Sequence, residues 1–166
     1  MNAFVKILLT GAVALLCHSV YAADRSAVES PATKVLETGS KTKRLEGSTL
    51  KMARPILKKT PISAILDNID MMMICPLEKG TQELTAATEN LLKSYTLVRE
   101  INDELSHMYI YIDTPANDRF SELLLYTTAP DPVVMLFQGE FTVDGLIKVG
   151  ELSEQDRKRR IRDKNR

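Results

Sequence analysis

The stretch from His107 to Phe141 constrains the fold more than any other. Met108, Ile110 and Ile112 alternate with Tyr109, Tyr111 and Asp113. Phe120, Leu124 and Tyr126 then alternate with Ser121, Leu123 and Leu125. Pro130-Asp131-Pro132 breaks the chain, and Val133 to Phe137 is apolar without interruption. A period of two around a proline-rich turn is the pattern of antiparallel pairing. Three adjacent strands are therefore expected, and the rest of the chain has to cover them.

The N-terminus reads as an export signal. Met1 to Lys6 carries one positive charge, Ile7 to Leu16 is apolar but too short to span a bilayer, and Val20-Tyr21-Ala22 offers small residues for cleavage. Residues 1–22 are thus expected to leave as a signal peptide. Cys17 follows Leu16 rather than a small residue, which argues against a lipid anchor there. The remaining chain keeps one cysteine, Cys75, and one cysteine forms no internal disulfide. Stability must come from an apolar core. Lys6 is the only charge before Ala23, so the remainder balances 21 basic against 22 acidic side chains. Near neutrality argues against a global attraction to nucleic acid. No later run is long and apolar enough for a membrane helix.

Residues 23–47 are polar and mixed, without a sustained period, and read as a flexible leader. Ser48 offers a cap for a one-sided helical pattern of Leu50, Met52, Ala53, Ile56 and Leu57. Pro55 shortens or kinks it, and Thr60-Pro61 restarts it, which predicts two short helical pieces. Asp67-Asn68 ends them. Met71 to Cys75, closed by Pro76, fits a buried strand. Gly80-Thr81 opens a helix with Leu84, Ala87, Leu91 and Leu92 on its apolar side. From Ser94 the pattern fits either a continuing helix or a strand turning at Asn102-Asp103 into Met108. Thr142 caps a last helix with Val143, Leu146, Ile147 and Leu152 inward. Residues 48–152 thus read as a single domain, and residues 153–166 as a basic tail, disordered or frayed. From Glu154 to Arg166 there are seven basic and three acidic residues.

The order of these elements resembles a family of exported bacterial proteins catalogued as domain of unknown function 4252. The resemblance is carried by Leu66-Asp67-Asn68-Ile69 before a strand, a helix, Tyr95-Thr96-Leu97, Met108 to Ile112, Leu123 to Tyr126, Val133 to Gly139 and Phe141 to Leu152. It covers about Thr49 to Leu152. The resemblance implies a short exported protein without assigned activity, and it favours the hairpin after Ser94. It also implies an edge strand just before the first helix, where Lys43-Arg44-Leu45-Glu46 is a poor candidate. The family supplies no catalytic residues.

Candidate chemistry is sparse. After export one histidine remains, His107, and its neighbour Ser106 points to the opposite face of a strand. Asp113 with Asp118, and Glu140 with Asp144, are carboxylate pairs of the kind that loops carry in solvent. Met71, Met73 and Cys75 share one strand face and are soft ligands suited to Cu(I), but methionine and free cysteine are also ordinary core residues. Glycine-rich phosphate loops and zinc spacings are absent from the sequence. No catalytic residue, cofactor or metal site is assigned.

The fold class expected is α+β: two layers, a mostly antiparallel sheet with helices packed on one face. The function expected is that of an exported, non-enzymatic module at the periplasm or cell envelope, binding a protein partner or self-associating. The alternative is a copper-handling protein or an enzyme with an unrecognised site. Tyr109, Tyr111 and Tyr126 form the candidate partner surface, because tyrosine is enriched where proteins meet. The basic tail offers a possible peripheral contact with anionic headgroups, and no nucleic-acid partner is expected.

Overall fold

The computed structural model describes residues 29–77, 82–103, 106–115, 117–129 and 131–164. The expected signal peptide with Cys17, the first part of the leader, and the Gly80-Thr81 helix opener lie outside the described residues. The elements run α1 (Pro31–Glu37), β1 (Lys43–Glu46), α2 (Gly47–Leu57), two 3-10 turns (Pro61–Ala64 and Leu66–Asn68), β2 (Ile69–Pro76), α3 (Gln82–Leu92), β3 (Thr96–Asp103), β4 (Ser106–Ile112), β5 (Arg119–Ala129), β6 (Val133–Thr142) and α4 (Val143–Lys164). The six strands form one sheet in the order β1-β2-β6-β5-β4-β3, and every neighbouring pair is antiparallel. The fold is α+β, and β3 with β4 forms the hairpin. Asn102 and Asp103, expected to be the turn, are still strand residues.

Helices cover both faces of the sheet, where one covered face was expected. On the first face α2, the 3-10 turns and α4 pack on Leu45, Met72, Ile74, Ile110, Leu123, Leu125, Met135 and Phe137. On the second, α1 and α3 pack on Met71, Met73, Cys75, Leu124, Val134 and Leu136. The physical reason is written in the central strands. Met71–Cys75 and Val133–Phe137 are apolar at both parities and fully buried. Strands with two apolar faces need two covers.

Residues 31–46 are not a spacer but part of this body. Ser30 caps α1 by accepting from the Thr33 N–H at 3.2 Å, and Pro31 occupies the first turn, where a missing N–H costs nothing. Ala32 and Leu36, one helical turn apart, are buried in the second cluster. Arg44 of β1 bonds Glu37 of α1 at 2.7 Å and Glu46 at 3.1 Å. β1 contributes a single buried side chain, Leu45, and is short and charged, as an edge strand that resists pairing should be.

Pro55 falls in the last turn of α2, and the chain continues as the two 3-10 turns, so the expected split into short pieces is what forms. In α3 Thr88 is buried rather than Ala87. Thr142 caps α4, its hydroxyl accepting from the Gly145 N–H at 3.1 Å. Val149 and Leu146 face the core, whereas Ile147 is 54% exposed. α4 also continues through most of the expected tail, to Lys164. Gly139 is demanded by close backbone approach: a Cβ there would sit 1.8 Å from the Asn68 carbonyl oxygen.

Candidate functional site: a tyrosine shelf beside a buried polar cluster

Register assembles the second face row by row. Cys75 pairs with Val134, Val134 with Tyr126, Tyr126 with Tyr109, and Tyr109 with Glu100. One step along, Met73, Leu136, Leu124, Tyr111 and Leu97 form the next row. The three tyrosines therefore do come together. Ring centroids lie 6.5 Å apart for Tyr109 and Tyr111, and 6.2 Å for Tyr109 and Tyr126, with interplanar tilts of 35° and 36°. These distances fall within the range of favourable aromatic pairs.

Their burial separates them. Tyr126 is buried in the second cluster, while Tyr109 and Tyr111 are half-buried and only pack against its rim. Leu97, opposite Tyr111 on the edge strand, is 49% exposed. α1 and α3 thus cover the β2, β6 and β5 side of this face, and the β4 and β3 side is left as a shelf. Burial pushes the Tyr111 phenol up, with Tyr109 and Glu100 adding to it. Burial, Glu89, Tyr111 and Tyr109 push Tyr126 up. The shelf presents phenol hydroxyls, able to donate and accept, on an apolar floor.

A buried polar cluster borders it. Glu122 on β5 and Gln138 on β6 are directly paired and both buried. The Gln138 amide donates to the Glu122 carboxylate at 2.7 Å and to the hydroxyls of Ser30 and Thr33 at 3.3 and 3.2 Å. The Tyr95 hydroxyl, between α3 and β3, donates to the other carboxylate oxygen of Glu122. Burial and this bond push the Tyr95 phenol up. One carboxylate thus ties α1, β6 and the end of α3 together. Its oxygens are engaged, which suits a fastening rather than a base poised to take a proton.

The remaining candidates are placed apart from one another. Asp113 accepts from the backbone N–H groups of Ser121 and Glu122, both at 3.0 Å. The bulge between Phe120 and Glu122 frees these groups from the ladder. The same bulge moves Phe120 to the first face with Leu123 and Leu125, against the alternation read from sequence, and sets it 5.4 Å from Phe141. Asp118 has φ 60° and its carbonyl accepts from Val143 N–H, so it shapes the corner into α4. Glu140 and Asp144 are not brought together at any shared partner, and Glu140 is exposed. His107 is exposed with Nδ1 2.8 Å from the Asn102 side-chain oxygen. Met71, Met73 and Cys75 do share a face, but fully buried among Ala32, Leu36 and Leu84. Burial pushes the Cys75 thiol up, more than its bond with Thr42 lowers it, and so disfavours the thiolate that binds soft metals. Among the described residues no three His, Cys, Asp or Glu side chains are grouped to hold a metal ion. Nor is any described helix long and apolar enough to cross a membrane, which leaves strands unaddressed.

Leu97, Tyr95, Glu122 and Gln138 were not singled out from sequence as site residues. The available signal was Glu122 and Gln138 themselves: single polar residues at the ends of apolar runs, at the parity of a buried face. No family model, curated protein or solved structure matches the chain.

Proposed function

We propose that this protein is an exported, non-enzymatic association module whose tyrosine shelf binds a protein partner at the cell envelope. The observation that carries the reading is the half-covered second face. Tyr109, Tyr111 and Leu97 form a continuous, solvent-facing surface on a rigid sheet, rimmed by Glu100. A patch of aromatic and aliphatic side chains with a polar rim has the anatomy of a protein-binding surface. Tyrosine adds contact area at low entropic cost and a hydroxyl that stays satisfied on either side of binding. The N-terminal pattern of residues 1–22 supports export, and the order of elements supports kinship with domain of unknown function 4252.

The test is the double substitution Tyr109→Ser with Tyr111→Ser. Crosslinking in the native cell, followed by identification of captured proteins, is compared with wild type. The reading expects a partner captured by wild type and lost from the variant, with the variant's circular dichroism unchanged. Identical capture by both chains would contradict it.

A further inference from the structure

We infer that a second copy of this chain pairs along the free edge of β3, about a two-fold axis at Ile101, to make one continuous sheet. The inference rests on the association reading above and names one partner for it.

β3 ends the sheet, and its far side has no neighbouring strand among the described residues. A bulge at Leu97–Arg99 bounds its straight part on one side, and the hairpin pair Asp103–Ser106 bounds it on the other. Between them lie Arg99, Glu100, Ile101, Asn102 and Asp103. Charged edges normally repel other strands. This one is complementary to itself. A two-fold axis perpendicular to the sheet keeps each face continuous, so a residue can only stand opposite one of its own parity. Centred on Glu100 or on Arg99, the axis places like charges face to face. Centred on Ile101, the middle of the straight part, it places Arg99 opposite Asp103 of the other copy, Glu100 opposite Asn102, and Ile101 opposite itself.

The side chains already present fit that register. Asn102 donates to Glu100 within its own strand at 2.6 Å, so the pair is compatible before any copy arrives. Ile101 is half-buried against the first cluster and would complete its burial against its counterpart. The other edge, β1, offers no such segment. It is four residues long, and its Arg44 is held by Glu37 and Glu46.

Charge over a longer range points the same way. α4 leaves β6 at Val143 and reaches the edge strand at Gly150, where an added Cβ would lie 2.4 Å from the Arg99 guanidinium. The helix then runs on over residues 151–164, roughly 20 Å at 1.5 Å per residue. Gln155, Lys158, Arg159 and Arg162 on this arm are exposed. Glu154 to Arg166 holds seven basic and three acidic residues, whereas Ala23 to Ser153 holds fourteen basic and nineteen acidic. A basic arm passing the edge of an acidic body meets, in a paired copy, another acidic body.

The purified chain is tested by light scattering and by sedimentation across concentration. Wild type is expected to dimerise. Arg99→Asp alone and Asp103→Arg alone each place like charges opposite and weaken the dimer by about tenfold. An equimolar mixture of the two variants recovers wild-type affinity in the mixed dimer, where the two introduced charges, of opposite sign, face each other across the axis and the native Asp103 of one chain faces the native Arg99 of the other. The double variant Arg99→Asp with Asp103→Arg also restores the dimer, with the charges exchanged. Asn102 is exposed and gives a second pair of variants, should Arg99→Asp fold poorly. Asn102→Glu weakens the dimer and Asn102→Lys tightens it. A wild-type chain that stays monomeric at roughly 0.1 mM overturns the inference. So does a double variant no better than its components, or an Asn102 pair without opposite effects. Tyr109 and Tyr111 are intact in every variant. Partner capture that persists while the dimer is absent therefore overturns this inference alone and leaves the shelf's role standing.

Discussion

The two faces of the sheet are built from the same strands and closed in different ways. The first face is sealed by α2, the 3-10 turns and α4 over an apolar cluster that runs from Leu45 on β1 to Ile110 on β4. The second is sealed only in part. α1 has seven residues and α3 eleven, and their cover ends before β4. Where it ends, polar fastening replaces apolar burial: Glu122, Gln138, Tyr95, Ser30 and Thr33 hold the two short helices in place. The lesson is a division of labour. An apolar seal stabilises without directional demands. A buried carboxylate with its partners adds little net stability, but it defines where each element sits.

Breaking the first face should have the largest effect. Phe137→Ala removes a fully buried ring at the centre of the cluster and is expected to cost about 3–5 kcal/mol, read from denaturant midpoints. Association through the second face should be unchanged wherever the variant remains folded.

Breaking the fastening comes next. Gln138→Leu leaves the Glu122 carboxylate buried with one bond fewer and should cost about 1–3 kcal/mol. Pairing it with Glu122→Leu should recover part of that loss, since no buried charge then remains. Simple addition of the two losses would show that the cluster is not a unit.

Tyr95→Phe sharpens the same point through pH. The folded protein holds the Tyr95 phenol above its ordinary value of about 10 by burial and by the bond to Glu122. A raised value means that its contribution is complete below pH 10 and is lost as pH rises beyond it. Wild type should therefore show a steep alkaline loss of stability, and Tyr95→Phe a shallower one from a lower start. Parallel curves would place the alkaline loss elsewhere.

How much of this was legible in the chain follows from the same contrast. The alternation of β4 and the apolar run of β6 were plain, and so were the parities of Met108, Ile110 and Ile112 against Tyr109 and Tyr111. Phe120 was misplaced because a bulge inserts one residue without any local signal, and one residue reverses a face. α1 was missed because Ala32 and Leu36 are its only buried apolar residues, too few to show a period. β1 is a poor strand by its residues alone because three of its four are charged, which is an edge strand's defence and also its disguise. The second helical layer was in principle readable. Runs such as Met71–Cys75 and Val133–Phe137 have no polar parity to turn to water. The fastening cluster joins residues as distant as Ser30 and Gln138, and only the register brings them together.

The smallest effect expected is that of the arm. Deleting Glu154–Arg166 removes a part of α4 whose described side chains are exposed. The thermal midpoint should move by no more than about 2 °C. A fall of many degrees would mean that the arm seals one of the faces after all.

The most direct measurement of the central claim is site-resolved nitration of the tyrosines, in the purified chain and in intact envelopes. With the second face half open and used for binding, Tyr109 and Tyr111 react in the purified chain and are protected in the envelope, while the buried Tyr126 stays protected in both. Equal reactivity of Tyr109 and Tyr111 in the two settings would contradict the account.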